Sequence, residues 1–138
     1  LKGELKNGEP RKMTCRTSDQ NPDYTRIGDR QYHYFVVDVP KGSREVVLSL
    51  EPVLGYSDYA MYLCAGYEPF PKMENADYRN VSSTFAKEIR IPNPKHGKLY
   101  VSVFCHTTVD TVDSPYGHQY AGRVDVLNGV PYIIKAAF

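Results

Sequence analysis

Between Gln31 and Gly66 the chain alternates side by side, residue after residue, and this restricts the fold more than any other feature. Phe35, Val37 and Val39 fall on one side of an extended segment, with Tyr34, Val36 and Asp38 on the other. Val46, Leu48 and Leu50 then alternate with Val47 and Ser49. A third segment sets Tyr59, Met61 and Leu63 against Asp58, Ala60, Tyr62 and Cys64. Pro40-Lys41-Gly42 and the run from Glu51 to Tyr56 separate the three. Period-two alternation in β-branched and aromatic residues, punctuated by Pro and Gly, is the pattern of half-buried antiparallel strands. No helical period of comparable length occurs, so the chain is expected to be all-β.

Taken in order, residues 1–9 read as a short strand or turn ending at Asn7-Gly8, and 10–29 as a long polar loop. Strands are expected at about 31–39, 44–51 and 58–65. Residues 66–85 read as irregular, with Tyr67-Glu68-Pro69-Phe70-Pro71 forming a stiff aromatic knuckle. Strands at about 86–91 and 98–105 flank a turn from Pro92 to Gly97, and 106–119 reads as a third long loop. Two last strands, about 121–127 and 130–138, are expected to meet at Asn128-Gly129, a two-residue hairpin signal. The expected architecture is one domain, 1–138, an antiparallel β-sandwich of seven to eight strands, jelly-roll-like. Loops above about 12–15 residues in a small domain commonly carry function.

Several of these segments resemble the bacterial pre-peptidase C-terminal domain. The first strand reads Tyr34-Phe35-Val36-Val37-Asp38-Val39-Pro40-Lys41-Gly42 and the second ends Leu48-Ser49-Leu50. The third runs from Asp58 through Tyr62-Leu63 to Gly66. Asn93-Pro94, then Gly97-Lys98-Leu99-Tyr100-Val101-Ser102-Val103, is similar to the family's hairpin; Gly129 to Lys135 resembles its last strand and Gly3 to Glu9 its opening. The resemblance implies a β-sandwich that serves as a non-catalytic binding module, with a hydrolase, a protease or a polymeric substrate as partner. A protist family of lumenal hydrolase receptors, the cysteine protease binding family, carries similar domains. The implied setting is secreted, or the lumen of a secretory or lysosomal compartment. Calcium is the cofactor that the resemblance suggests, with Glu4, Asn7, Glu9 and Asp58 as the nearest matches to its ligands. Ala60 stands where the family's strand start has a second Asp, which removes one carboxylate from a cation that takes 6–8 oxygens.

Composition narrows the functional classes. With 17 basic and 16 acidic residues the net charge is +1, so neither nucleic acid nor an anionic membrane is indicated by charge. No apolar run approaches the ~20 residues of a membrane-spanning helix. The chain opens at Leu1 without a signal-like segment and is read as a domain excised from a larger protein. Cys15, Cys64 and Cys105 permit at most one internal disulfide, in any of three pairings, and their spacing fits no zinc site. Buried unreactive thiols are the alternative for Cys64 and Cys105.

A nucleophilic site is not expected. Cys105 adjoins His106, but neighbouring strand residues point to opposite faces, and no Gly-x-Ser-x-Gly elbow flanks a serine. The four histidines lack metal-ligand spacing. Tyrosine is abundant: 12 Tyr and 5 Phe, with no Trp. Tyr suits sheet surfaces, and it also gives large contact area at low entropic cost in recognition faces. Tyr67, Phe70, Tyr116 and Tyr120 are the expected partner contacts, since each lies in or beside a loop; Phe70 reads equally well as a plug over the sandwich end. Asn80-Val81-Ser82 is an N-glycosylation sequon at Asn80. A second reading is a C2-like regulatory domain of a calpain-type cysteine protease. Ser83-Thr84-Phe85, Ile91-Pro92 and Gly97 to Phe104 are loosely similar to such domains.

Overall fold

The structure, a computed structural model, describes residues 2–15, 25–122 and 124–138. Two sheets pack face to face. In chain order the strands are β1 (Gly3–Glu4), β2 (Arg11–Met13), β3 (Tyr32–Val39), β4 (Glu45–Pro52), β5 (Met61–Gly66) and β6 (Tyr78–Asn80). They continue with β7 (Lys87–Pro92), β8 (Gly97–Cys105), β9 (Val109–Ser114), β10 (Gly117–Gly122) and β11 (Tyr132–Ala137). One sheet has the order β1-β3-β8-β5-β6 and the other β2-β11-β4-β7, while β9 and β10 pair with each other alone. All pairings are antiparallel except β1 with β3. The expected antiparallel β-sandwich is what the chain forms; short strands and the separate hairpin raise the strand number above seven to eight.

The alternation read in the sequence is the burial pattern. Phe35, Val37, Val46, Leu48, Leu50, Met61 and Leu63 are fully buried between the sheets. From the other strands Ile91, Leu99, Val101, Val103, Ile134 and Ala136 join them. Each fully buried large aliphatic or aromatic side chain contributes about 1.5–3 kcal/mol. Two polar groups enter this core as a pair. His33 on β3 is 4% exposed, and its Nδ1 lies 2.6 Å from the hydroxyl of Tyr132 on β11, bridging the sheets. Arg11 closes the edge where β1 and β2 face each other. Its guanidinium donates to the Lys2 carbonyl at 2.5 Å and lies 5.7 Å from the Phe35 ring centroid. Gly3 has φ +141°, which an L side chain rarely adopts, and a Cβ there would also push the guanidinium aside.

Four expectations are corrected. Within 106–119, read as a loop, the chain instead forms most of the β9–β10 hairpin. Its turn is fixed by Ser114, whose Oγ donates to the Gly117 carbonyl at 2.9 Å and accepts from the Tyr116 N–H at 3.2 Å. The hairpin pairs with neither main sheet, so its strands need no apolar face, and the signal used to find the others is missing. Residues 121–127 are not a strand: Gly122 ends β10 and Val124–Asn128 form a 3-10 turn that buries Val126. Asn128-Gly129 therefore closes that turn, with Gly129 N–H donating to Val126 at 3.0 Å, and does not join two strands. Gly129 has φ +85°, which either turn requires, so the dipeptide alone does not distinguish them. Finally, the loops expected at 10–29 and 66–85 contain the short edge strands β2 and β6. Residues 16–24 of the first lie outside the described residues.

Candidate functional site

The outward phase of the same alternation builds a continuous row of rings on the five-stranded sheet. Tyr32 and Tyr62 lie directly opposite Phe104 on either side of it, so three aromatics cross β3, β8 and β5 in register. The row spans two strand spacings, about 10 Å. The Tyr32 and Phe104 centroids are 4.5 Å apart, and those of Tyr62 and Phe104 6.2 Å. At one end His106 stacks on Tyr62 at 4.5 Å and 16° between planes. At the other, Tyr34 lies parallel to Tyr32 at 5.7 Å and receives Phe70 edge-on at 5.1 Å. Six rings thus form an unbroken ribbon. The tyrosines and Phe104 are half-buried, while His106 is exposed and Phe70 is 51% exposed.

The next row inward explains how the ribbon is bordered. Tyr34, Ser102, Cys64 and Arg79 are register partners across four strands, and Ser102 and Cys64 are completely buried. They are covered by the connection between β5 and β6. That connection is tied down where Met73 N–H donates to the Tyr32 hydroxyl at 3.3 Å, and where Arg79 donates to the Met73 carbonyl at 2.7 Å. Tyr67 N–H donates to Asp77 Oδ2 at 3.1 Å; a Cβ at Gly66 would approach that carboxylate to 3.0 Å. Phe70, at φ +57°, sits in the left-handed region directly before Pro71. A bulky residue there is a backbone outlier, and the residue before a proline normally favours an extended conformation. Such outliers persist where the surroundings over-determine them, and they cluster at ligand-contacting sites.

Burial raises the Tyr32 hydroxyl pKa, against a smaller lowering from the Met73 hydrogen bond. Burial also raises that of Tyr34, with Tyr32 and Glu74 adding to it. Both phenols are therefore neutral at ordinary pH.

The sequence-expected contacts scatter. Phe70 lies on the ribbon, over the sheet face. Tyr67 does not: it packs against the core, and its hydroxyl accepts the Lys95 N–H at 3.2 Å. Tyr116 occupies the hairpin tip, 92% exposed. The side chain of Tyr120, on β10, lies outside the described residues. Glu4 and Glu9 border one shallow hollow of about 200 Å³. Asn7 instead uses its Oδ1 to accept Phe138 N–H at 2.8 Å. Asp58 precedes β5, which β3 and β8 separate from β1 in the sheet. Among the described residues no three His, Cys, Asp or Glu converge to hold a metal ion. Asn80 ends β6, with Nδ2 donating to the Glu88 carbonyl at 3.1 Å.

No cysteine is paired. Cys105 points into the core, where its thiol donates to the Thr107 carbonyl at 3.2 Å, whereas His106 lies on the outer face. Burial, aided by Asp29, pushes the Cys105 thiol up to about 12, far from thiolate chemistry. Burial raises Cys64 as well, opposed by the neighbouring Ser102 hydroxyl and by Arg79. The ribbon residues Tyr32, Tyr34, Tyr62, Phe104 and His106 were not singled out in the sequence. Their signal was there: aromatics occupying the phase of a strand that faces water.

No family model matches the chain, and no curated protein matches it. Among solved structures the chain is similar to the pre-peptidase C-terminal domain of a collagenase from Bacillus anthracis. That likeness has 12% identity and a TM-score of 0.46, covering 97% of this chain and 90% of the other.

Proposed function

We propose that this domain is a non-catalytic binding module that docks its partner on the aromatic ribbon of the five-stranded sheet. The partner is a hydrolase or protease, or a polymeric substrate, met in a secretory, lysosomal or extracellular setting. The observation that carries the reading is the unbroken contact of six rings on a face where a sandwich ordinarily exposes polar residues. Ring-rich surfaces are where interface energy concentrates, because Tyr and Phe bring large area with few rotors to freeze. A row running across the strands suits an extended chain or a ridge laid over the sheet.

The test is titration of the domain with purified secreted hydrolases and with insoluble polymers, comparing the native chain with Tyr62→Ala and Phe104→Ser. Truncating a central aromatic anchor is expected to weaken binding by about thirtyfold or more. A partner bound equally well by both variants would remove the ribbon from the reading.

A further inference from the structure

At the pole of the sandwich formed by the β3–β4 and β7–β8 turns lies an open hollow of about 670 Å³. Gly42, Ser43 and Arg44 line it from one turn and Asn93 to His96 from the other. We infer that this hollow is a second binding site, separate from the ribbon, for a tetrahedral oxyanion: a phosphate or sulfate ester group on a soluble ligand.

The charge is one-sided. Arg44, Lys95 and His96 line the hollow, and no carboxylate does. Glu45, the acid nearest Arg44 in sequence, points away and is bound by Arg90 at 3.0 Å. Arg44 and Lys95 make no ion pair among the described residues. The two turns are also fixed relative to each other. Asn93 N–H donates to the Arg44 carbonyl at 2.8 Å, and Ser43 N–H and Oγ both bond to the Pro40 carbonyl. Lys95 is held from below: its N–H donates to the Tyr67 hydroxyl, and its ammonium stands 4.9 Å from the Tyr67 ring centroid. A cation fixed this way loses less freedom when it meets an anion. Tyr67 thus acts as a positioning residue for Lys95.

An arginine and a lysine on opposing turns match such a group, since the planar guanidinium can give two parallel hydrogen bonds to a pair of its oxygens and ammonium adds a point charge. The volume exceeds a bare ion and leaves room for the group that carries the ester. Two cations on a chain of net charge +1 are too few to track a nucleic-acid backbone or hold a membrane surface.

The experiment is a backbone-amide NMR titration of the whole domain with inorganic phosphate and, separately, with a heparin-derived hexasaccharide. Saturable shifts at Ser43, Lys95 and His96 are expected. Lys95→Gln or Arg44→Gln should weaken the constant about tenfold with the remaining spectrum unchanged, and Tyr67→Leu should weaken it less, with shifts confined to the neighbours of its ring. Tighter binding of the hexasaccharide than of phosphate assigns the site to a glycan-borne ester; equal binding assigns it to the free anion. Absence of saturable shifts with both probes overturns the inference. Equal loss on Lys12→Gln, on β2, would show general charge attraction and overturn it too. Because no ribbon residue is changed, the result is independent of the proposed docking face.

Discussion

Acidification should unlock the core through His33. Its imidazole is 4% exposed, hydrogen-bonded to Tyr132 across the two sheets, and its pKa is lowered to about 4, chiefly by burial and then by Lys2. Arg11, the other cation near the pair, acts on Tyr132 from the same edge. In the unfolded chain the imidazole titrates near 6.5. Because the folded value is depressed, the unfolded state binds the proton first. Stability is complete above about pH 6.5, declines as the pH falls towards 4, and loses nothing further from His33 below that. The separation of the two pKa values corresponds to about 3 kcal/mol, a large part of the 5–15 kcal/mol typical of a domain. Urea unfolding of the native chain and of His33→Gln, at several pH values across that window, tests this. The variant should be less stable near neutrality, since the Tyr132 hydroxyl is imperfectly satisfied, but its curve against pH should be flatter by up to one proton. Parallel curves would refute the assignment and place the acid sensitivity elsewhere.

Other outcomes follow from the same geometry. Leu48→Ala, in the middle of the core, should cost about 2–5 kcal/mol in urea unfolding, whereas Phe104→Ser on the ribbon should cost clearly less while weakening docking about thirtyfold or more. Thiol labelling of the native protein should modify Cys15 rapidly and reach Cys64 and Cys105 only after denaturant is added, without prior reduction. Phe70→Gly should leave the melting temperature nearly unchanged while weakening binding. Relief of the left-handed strain, about 1–2 kcal/mol, offsets the lost edge contact on Tyr34.

Strand positions were legible where a strand has one wet and one dry face. From β3 to β5 the period-two pattern located each strand to within about three residues, because burial of Phe35, Leu48 or Leu63 requires that phase. The pattern fails in the β9–β10 hairpin, which pairs with neither main sheet. It fails equally at β1, β2 and β6, two or three residues long, where tertiary neighbours make the strand. The site was harder to read for a related reason. A search for function in loops finds Phe70 but passes over Tyr32, Tyr62 and Phe104, which look like ordinary strand residues one at a time. Only the register, which sets Tyr32 and Tyr62 on either side of Phe104, turns three separate aromatics into a surface.

That register also explains why recognition can sit on a sheet without weakening the sandwich. Each ribbon strand gives one phase to the core and the other to the outer face, so Tyr62 can change without opening a cavity at Met61 or Leu63. Two of the three non-glycine residues with positive φ, Phe70 and Asn93, each precede a proline: one holds a ring against the ribbon, the other lines the basic hollow. Strain in both cases lies in connections outside the core, where the paired strands over-determine the fold and can hold it. Stability and recognition are therefore divided between the two phases of the same strands. Substitutions in the dry phase should register in unfolding experiments, and those in the wet phase in binding.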